Sequence, residues 1–186
     1  MVKQIIYIFL VSCLILVSIE AHAQNKVYKT STGKISFYSE TPIENIDAHS
    51  SAMSSAINPT NREAAALVMI NSFKFKNSLM QEHFNEKYME SDKYPKATFS
   101  GVINENVDLM QPGTYNVTVT GKLTIHGVEQ NRTLKATITV NEALQLRLKA
   151  EFNVKLEDHK IKVPEIVFHK IAEVIAVKID ADYTLK

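Results

Sequence analysis

His83 and Glu86 stand three residues apart, and Glu165 stands four before His169. His83 and Glu86 sit one turn apart in a helix, and an imidazole and a carboxylate at either spacing could contribute to a metal site. Neither pair brings the three or four convergent ligands a metal centre needs, and His49, His126 and His159 are scattered elsewhere, so no metal site is expected. The sequence has no G-x-S-x-G, no Gly-rich phosphate loop and no HExxH, and no serine has an evident partner. No catalytic residue is therefore assigned. Tyr115 and Tyr183 are the inward-parity hydroxyls that an enzyme acting inside the fold would use, and neither has an evident base. Asn116-Val117-Thr118 and Asn131-Arg132-Thr133 form sequons that matter only on a eukaryotic secretory route. Lys155, His159, Lys160, Lys162 and Lys170 form a basic cluster that reads as a solvated turn; contact with an anionic head group is its functional alternative.

What would position these residues is an array of strands. Alternation is plainest in the C-terminal half: Tyr115, Val117, Val119, Leu123 and Ile125 oppose Asn116, Thr118, Thr120, Lys122 and Thr124. Leu146, Leu148, Ala150, Phe152 and Val154 oppose Arg147, Lys149, Glu151, Asn153 and Lys155, and Ile175, Val177, Ile179 and Ala181 oppose Lys178, Asp180 and Asp182. These are half-buried antiparallel strands, several of them a dozen residues or roughly 40 Å long. Upstream, Ile35 and Phe37 share one parity, as do Leu67, Met69, Phe73 and Phe75, while Thr32-Gly33 and Asn58-Pro59-Thr60-Asn61 signal turns. Residues 46–57 are serine-rich, with Ala48, Ala52 and Ala56 on one parity and Met53 and Ile57 on the other; strand is favoured over loop.

One segment breaks the period of two. Met80, Phe84 and Tyr88 recur every four residues and share a helical face, with Ser78 as N-cap and Gln81 as its capping-box partner. Pro95 ends the helix, which spans about 78–90. Eight or nine one-sided strands need a second sheet or closure on themselves, and long consecutive hairpins favour closure. The expected fold is mainly β: a single antiparallel barrel of about eight strands with one amphipathic helix near a barrel end. Such a barrel is either filled by its own side chains or holds one small ligand.

The 186 residues suit one domain, and 21 Lys plus Arg against 20 Asp plus Glu give no electrostatic case for nucleic acid. Lys3, the apolar run 5–19 and Ala21-His22-Ala23 read as a signal peptide, 1–23, cleaved before Gln24. The run is short for a membrane span. A lipobox reading of Leu10-Val11-Ser12-Cys13 is disfavoured because an apolar segment follows Cys13. The domain proper is 24–186, without cysteine.

Residues 73–101, FKFKNSLMQEHFNEKYMESDKYPKATFSG, with the hairpin Gly121-Lys122-Leu123-Thr124-Ile125-His126-Gly127-Val128, closely resemble the YceI-like family. The shared pattern is the HF-x-x-x-Y-M core, the Lys-Tyr-Pro before a strand, the Phe-x-Gly and the Gly-x-Leu-Thr-Ile-x-Gly-Val hairpin. That resemblance implies a lipocalin-like barrel in the periplasm or outside the cell, enclosing a long apolar ligand of the polyisoprenoid or related lipid type. It implies no catalytic residues and no cofactor other than a bound isoprenoid or other lipid. The expected lumen lining is Ile35, Phe37, Leu67, Met69, Phe73, Phe75, Met80, Phe84, Tyr88, Phe99, Tyr115, Val117, Leu146, Leu148, Phe152, Val177 and Ile179. Alanines at 48, 52, 56, 136, 150 and 181, and the lack of tryptophan, leave volume for a ligand. The rivals are a filled barrel serving as an extracytoplasmic interaction module and an enzyme that modifies a lipid. The helix either closes the lumen as a lid or packs on the outer wall; the polar outward parities favour the lid.

Overall fold

The computed structural model describes residues 26–41, 45–163 and 171–186. The signal-peptide reading of 1–23, together with Cys13, Glu165, His169 and Lys170, lies outside them. Regular alternation produces regular ladders. Strands β6 (Gly113–Ile125) and β7 (Val128–Val140) pair without a slip from Gly113↔Val140 to Ile125↔Val128. Their connection is His126-Gly127, both at positive φ (51° and 71°), the two-residue turn whose twist matches the strands. β7 pairs with β8 (Leu146–Lys155), and β8 with β9 (Val174–Leu185).

The N-terminal strands close the circle. β1 (Tyr28–Glu40) pairs with β9 on one side and with β2 (Asn45–Ile57) on the other. β2 then pairs with β3 (Glu63–Met69), β3 with β5 (Lys96–Ile103) and β5 with β6. The result is a closed antiparallel barrel of eight strands with one additional short strand, β4 (Lys74–Phe75), on β2. Closure leaves the barrel no free sheet edge. Cross-strand ion pairs such as Arg147–Asp180 (2.7 Å) and Lys122–Glu129 (2.8 Å) decorate the wet face and contribute little at such exposure.

Three irregularities depart from the sequence expectation, and each re-aims side chains. Thr32-Gly33 is a bulge inside β1 rather than a turn, with register shifts on both sides of Gly33. A Cβ there would lie 2.6 Å from the Met53 methyl carbon and 3.2 Å from the Ala181 Cβ, so the bulge leaves little room for a side chain unless Met53 shifts. Residues 46–57 do form a strand, but its inward parity changes from Ala48 and Ser50 to Met53 and Ile57. The Ser50 hydroxyl accepts from the Ala52 amide (3.2 Å), and its oxygen lies 2.7 Å from that of Ser72. Ser72 in turn donates to the Met69 carbonyl (2.6 Å), which ties that shift to the third irregularity.

That third break is a 3-10 turn, Ile70–Ser72, between β3 and β4. It decouples the two segments, so the inward residues of β3 are Ala64, Ala66 and Val68 while those after the turn are Phe73 and Phe75. Leu67 and Met69 therefore do not share the face of Phe73 and Phe75 as their parity suggested, and Met69 is 38% exposed.

The far end of the barrel is sealed. Leu109, in the 104–112 connection, is fully buried and packs with Tyr28, Ile103, Ile138 and Leu146. Tyr28 donates its hydroxyl to the Leu109 carbonyl at 2.8 Å.

Candidate ligand-binding site

At the opposite end the chain leaves β4 and enters helix α1 (Ser78–His83), which continues as a π-helical turn, Phe84–Tyr88. The N-cap is Asn77, not Ser78: its side-chain oxygen accepts from the Leu79 (2.9 Å) and Met80 (3.3 Å) amides. Asparagine caps as well as serine, and here it occupies the last extended position before the turn. Gln81 reaches back to the Phe75 amide (3.4 Å) instead of closing a capping box. The π turn, with Met89 N–H bonded to the Phe84 carbonyl at 2.9 Å, has a functional consequence. A stripe spaced by four drifts about 40° per step around an α-helix. The wider π turn offsets that drift, and Met80, Phe84 and Tyr88 all line one cavity.

Phe84 anchors the helix to the mouth. Its ring stacks on Phe37 (5.3 Å, 28°) and meets Phe75 at 5.0 Å and Phe73 at 5.8 Å. Edge and offset contacts of this kind add to the burial of the rings. The helix thus sits across the barrel end rather than on the outer wall. Its far end is held by the hairpin: Glu90, at φ 44°, lies 2.8 Å from His126 Nε2, and His126 Nδ1 lies 3.2 Å from the His159 carbonyl. The Tyr94 ring packs edge-on against His126 at 4.4 Å and also covers Gly127, where any Cβ would strike it.

Beneath the helix is a cavity of about 420 Å³, bounded by Phe37, Phe73, Phe75 and Phe84 and continuing down to Ile35, Val68, Leu123 and Phe152. Leu79, 54% exposed, belongs to its lining, so the cavity meets solvent beside the helix. A smaller chamber of about 110 Å³ lies deeper and shares Ile35, Val68, Ala97, Leu123 and Phe152 with it. Polar groups in the outer lining are few: Asn77, His83 and the Tyr88 phenol along the helix, and Ser39, whose hydroxyl accepts from the Ala172 amide at 2.8 Å. This is the balance of an apolar ligand site, a greasy wall with a few polar groups near its entrance.

Residues 19–183 match the YceI-like domain. The chain belongs to the YceI-like family. Its fold recurs in solved structures. A polyisoprenoid-binding domain from Saccharophagus degradans, implicated in plant cell wall breakdown, has a TM-score of 0.73 at 15% identity, over 87% of this chain and 99% of that one. BcnA of Burkholderia cenocepacia gives 0.69 at 21% identity, over 82% and 96%. The Campylobacter jejuni YCEI protein gives 0.62 at 18%, over 79% and 88%. No curated protein matches the chain by sequence.

In this YceI-like barrel the expected lining residues separate by depth. Ile35, Phe37, Phe73, Phe75, Met80, Phe84, Tyr88, Phe152 and Val177 line the outer cavity. Phe99, Leu148 and Ile179 border the inner chamber, and Leu67 touches it from the opposite parity of β3 to Ala64, Ala66 and Val68. Tyr115, Val117 and Leu146 line neither: they face inward but lie in the packed base. Tyr115 directs its hydroxyl at the Asp108 (3.1 Å) and Gln111 (2.9 Å) carbonyls. Met69 is outside altogether. The lumen is thus filled at its base and hollow toward its mouth. Val68, Ile70, Leu123 and Val154 also line the outer cavity, and strand parity carries the signal for Leu123 and Val154 alone.

Neither tyrosine is poised for chemistry. Tyr183 donates to Ser55 at 2.9 Å, and burial raises its phenol above the ordinary range, so it holds its proton. Among the described residues no three His, Cys, Asp or Glu side chains converge to hold a metal. The basic cluster is not one surface. Lys155 pairs with Glu157 at 2.7 Å, while His159 is fully buried, its Nδ1 lying 3.1 Å from the Val128 carbonyl. A 3-10 turn, Glu157–His159, pulls it inward.

Burial holds the His159 imidazole below its ordinary 6.5, with the contact to the Val128 carbonyl opposing the shift. The unfolded chain therefore takes up a proton as pH falls through about 6.5, before the folded chain does. His159 contributes stability above that pH and loses it on acidification. The melting temperature is expected to fall between pH 7 and pH 5, and His159→Gln to flatten the decline; an unchanged slope in the variant would assign it to other groups.

Proposed function

We propose that this YceI-like protein is exported and encloses a long apolar ligand, a polyisoprenoid or related lipid, for carriage or storage without altering it. The observation that carries this reading is the apolar cavity of about 420 Å³, closed below and crossed by a helix whose apolar face lines it. Family membership supports it, as does the description of one structural neighbour as polyisoprenoid-binding. Burial of several hundred Å² at about 25 cal/mol per Å² supplies on the order of 10 kcal/mol. After ordering costs this leaves micromolar or tighter binding. The engagement of the Tyr183 hydroxyl with Ser55, and of the Tyr115 hydroxyl with the Asp108 and Gln111 carbonyls, favours carriage over chemistry. Removal of the leader before Gln24 would release the barrel into the periplasm or the medium.

The protein purified without detergent from its natural compartment is expected to yield an isoprenoid or similar lipid on solvent extraction and mass spectrometry, with Gln24 at its N-terminus. No extractable lipid, together with no binding of an isoprenoid probe, overturns the proposal. A retained leader overturns the export step alone.

A further inference from the structure

The two chambers and the base together bear on how much of a chain the barrel can take. At roughly 30 Å³ per non-hydrogen atom, the condensed-phase share of a water-sized group, the outer cavity takes about 14 carbons and the inner chamber about 4. The inner chamber exists because small residues face one another. Ala136 and Ala150 are direct cross-strand partners on β7 and β8, and Ala64 and Ala66 supply the opposite wall. Below it the lumen is solid: Ile138 and Leu146 are buried, and the fully buried Leu109 closes the end. That floor is fastened on both sides. Tyr28 binds the Leu109 carbonyl, and Tyr115 binds the carbonyls of Asp108 and Gln111 in the same connection.

We infer that the barrel is a chain-length gauge: it buries about 15 to 20 carbons of a ligand tail, and the alanine-lined inner chamber above the Leu109 floor sets where burial stops. The inference rests on the reading that the lumen takes a lipid tail. The tail enters first because the deep end is almost wholly apolar, its Tyr183 hydroxyl being taken up by Ser55, whereas Asn77 and His83 stand at the helix end. Carbons beyond the limit stay at the mouth in water and gain nothing from burial.

The test is a series of all-trans prenols of 10, 15, 20 and 25 carbons, competing with the fluorescent probe N-phenyl-1-naphthylamine. For the unaltered protein, affinity is expected to rise at least tenfold from 10 to 15 carbons, to rise again to 20, and to change less than threefold from 20 to 25. Ala136→Leu and, independently, Ala150→Leu fill the inner chamber and should bring the plateau forward to 15 carbons, leaving affinity for the 10-carbon prenol within threefold. Both variants are first checked for an unchanged strand spectrum and cooperative melting; two positions guard against one that disrupts packing. A continued tenfold rise to 25 carbons overturns the gauge, as does an unmoved plateau in a folded variant. Probe binding that no prenol displaces removes the lipid-carrier reading itself, and the gauge with it.

Discussion

Phe84→Ala is expected to speed release of a bound prenol by about tenfold to a hundredfold while costing the fold about 2 kcal/mol. The ring touches Phe37, Phe73 and Phe75 together, so it fastens the helix over the cavity and forms part of the cavity's roof. Its removal withdraws about 40 to 80 Å² of contact from any enclosed chain, on the order of 1 to 2 kcal/mol, and it also loosens the roof. The stability cost is held down because Phe84 is only partly buried and the main core lies below it. Stopped-flow transfer of a fluorescent prenol to acceptor vesicles reads the first effect, and urea unfolding reads the second. A large loss of stability with release unchanged would make the helix a structural cap with no part in retention.

Gly121→Ala should lower stability by about 3 kcal/mol or more, equivalent to a fall of roughly 10 °C in melting temperature. Gly121 on β6 faces Gly101 on β5, and here the two backbones approach each other directly. A Cβ on Gly121 would collide with the Ser100 carbonyl and lie 2.5 Å from the Gly101 Cα. Backbone in the middle of a closed barrel cannot step aside as a flexible side chain can. Gly113→Ala is the matched control: the nearest atoms its Cβ would meet belong to the Tyr115 side chain, at 3.1 Å, and a cost below about 1 kcal/mol is expected. Equal costs at the two glycines would show that the close approach is not what the barrel requires.

Alternation made the strands legible wherever the ladder runs without interruption. From β6 to β9 the inward residues follow their parity, because a regular antiparallel pair conveys which face is wet. Parity failed at Met69 because it was carried across the Ile70–Ser72 turn, and it was ambiguous in β2 because that strand changes parity midway. The bulge at Gly33 left a turn signal in the sequence without a turn. These local devices depend on contacts with residues far along the chain, such as Met53 against Gly33 and Ser72 against Ser50.

Residue-to-residue periodicity is enough to make this chain a one-sided strand array interrupted by a helix with Met80, Phe84 and Tyr88 on one face. Both periodicities are properties of neighbouring residues. Depth was a different matter. Tyr115, Val117 and Leu146 have the same pattern as Leu148 and Phe152, yet the first three pack the base and the last two line the hollow. Period two says which way a side chain points, not what stands opposite it across the lumen. Only closure of β9 on β1, with Leu109 folded into one end and Phe84 laid across the other, decided that a cavity remains and where it stops.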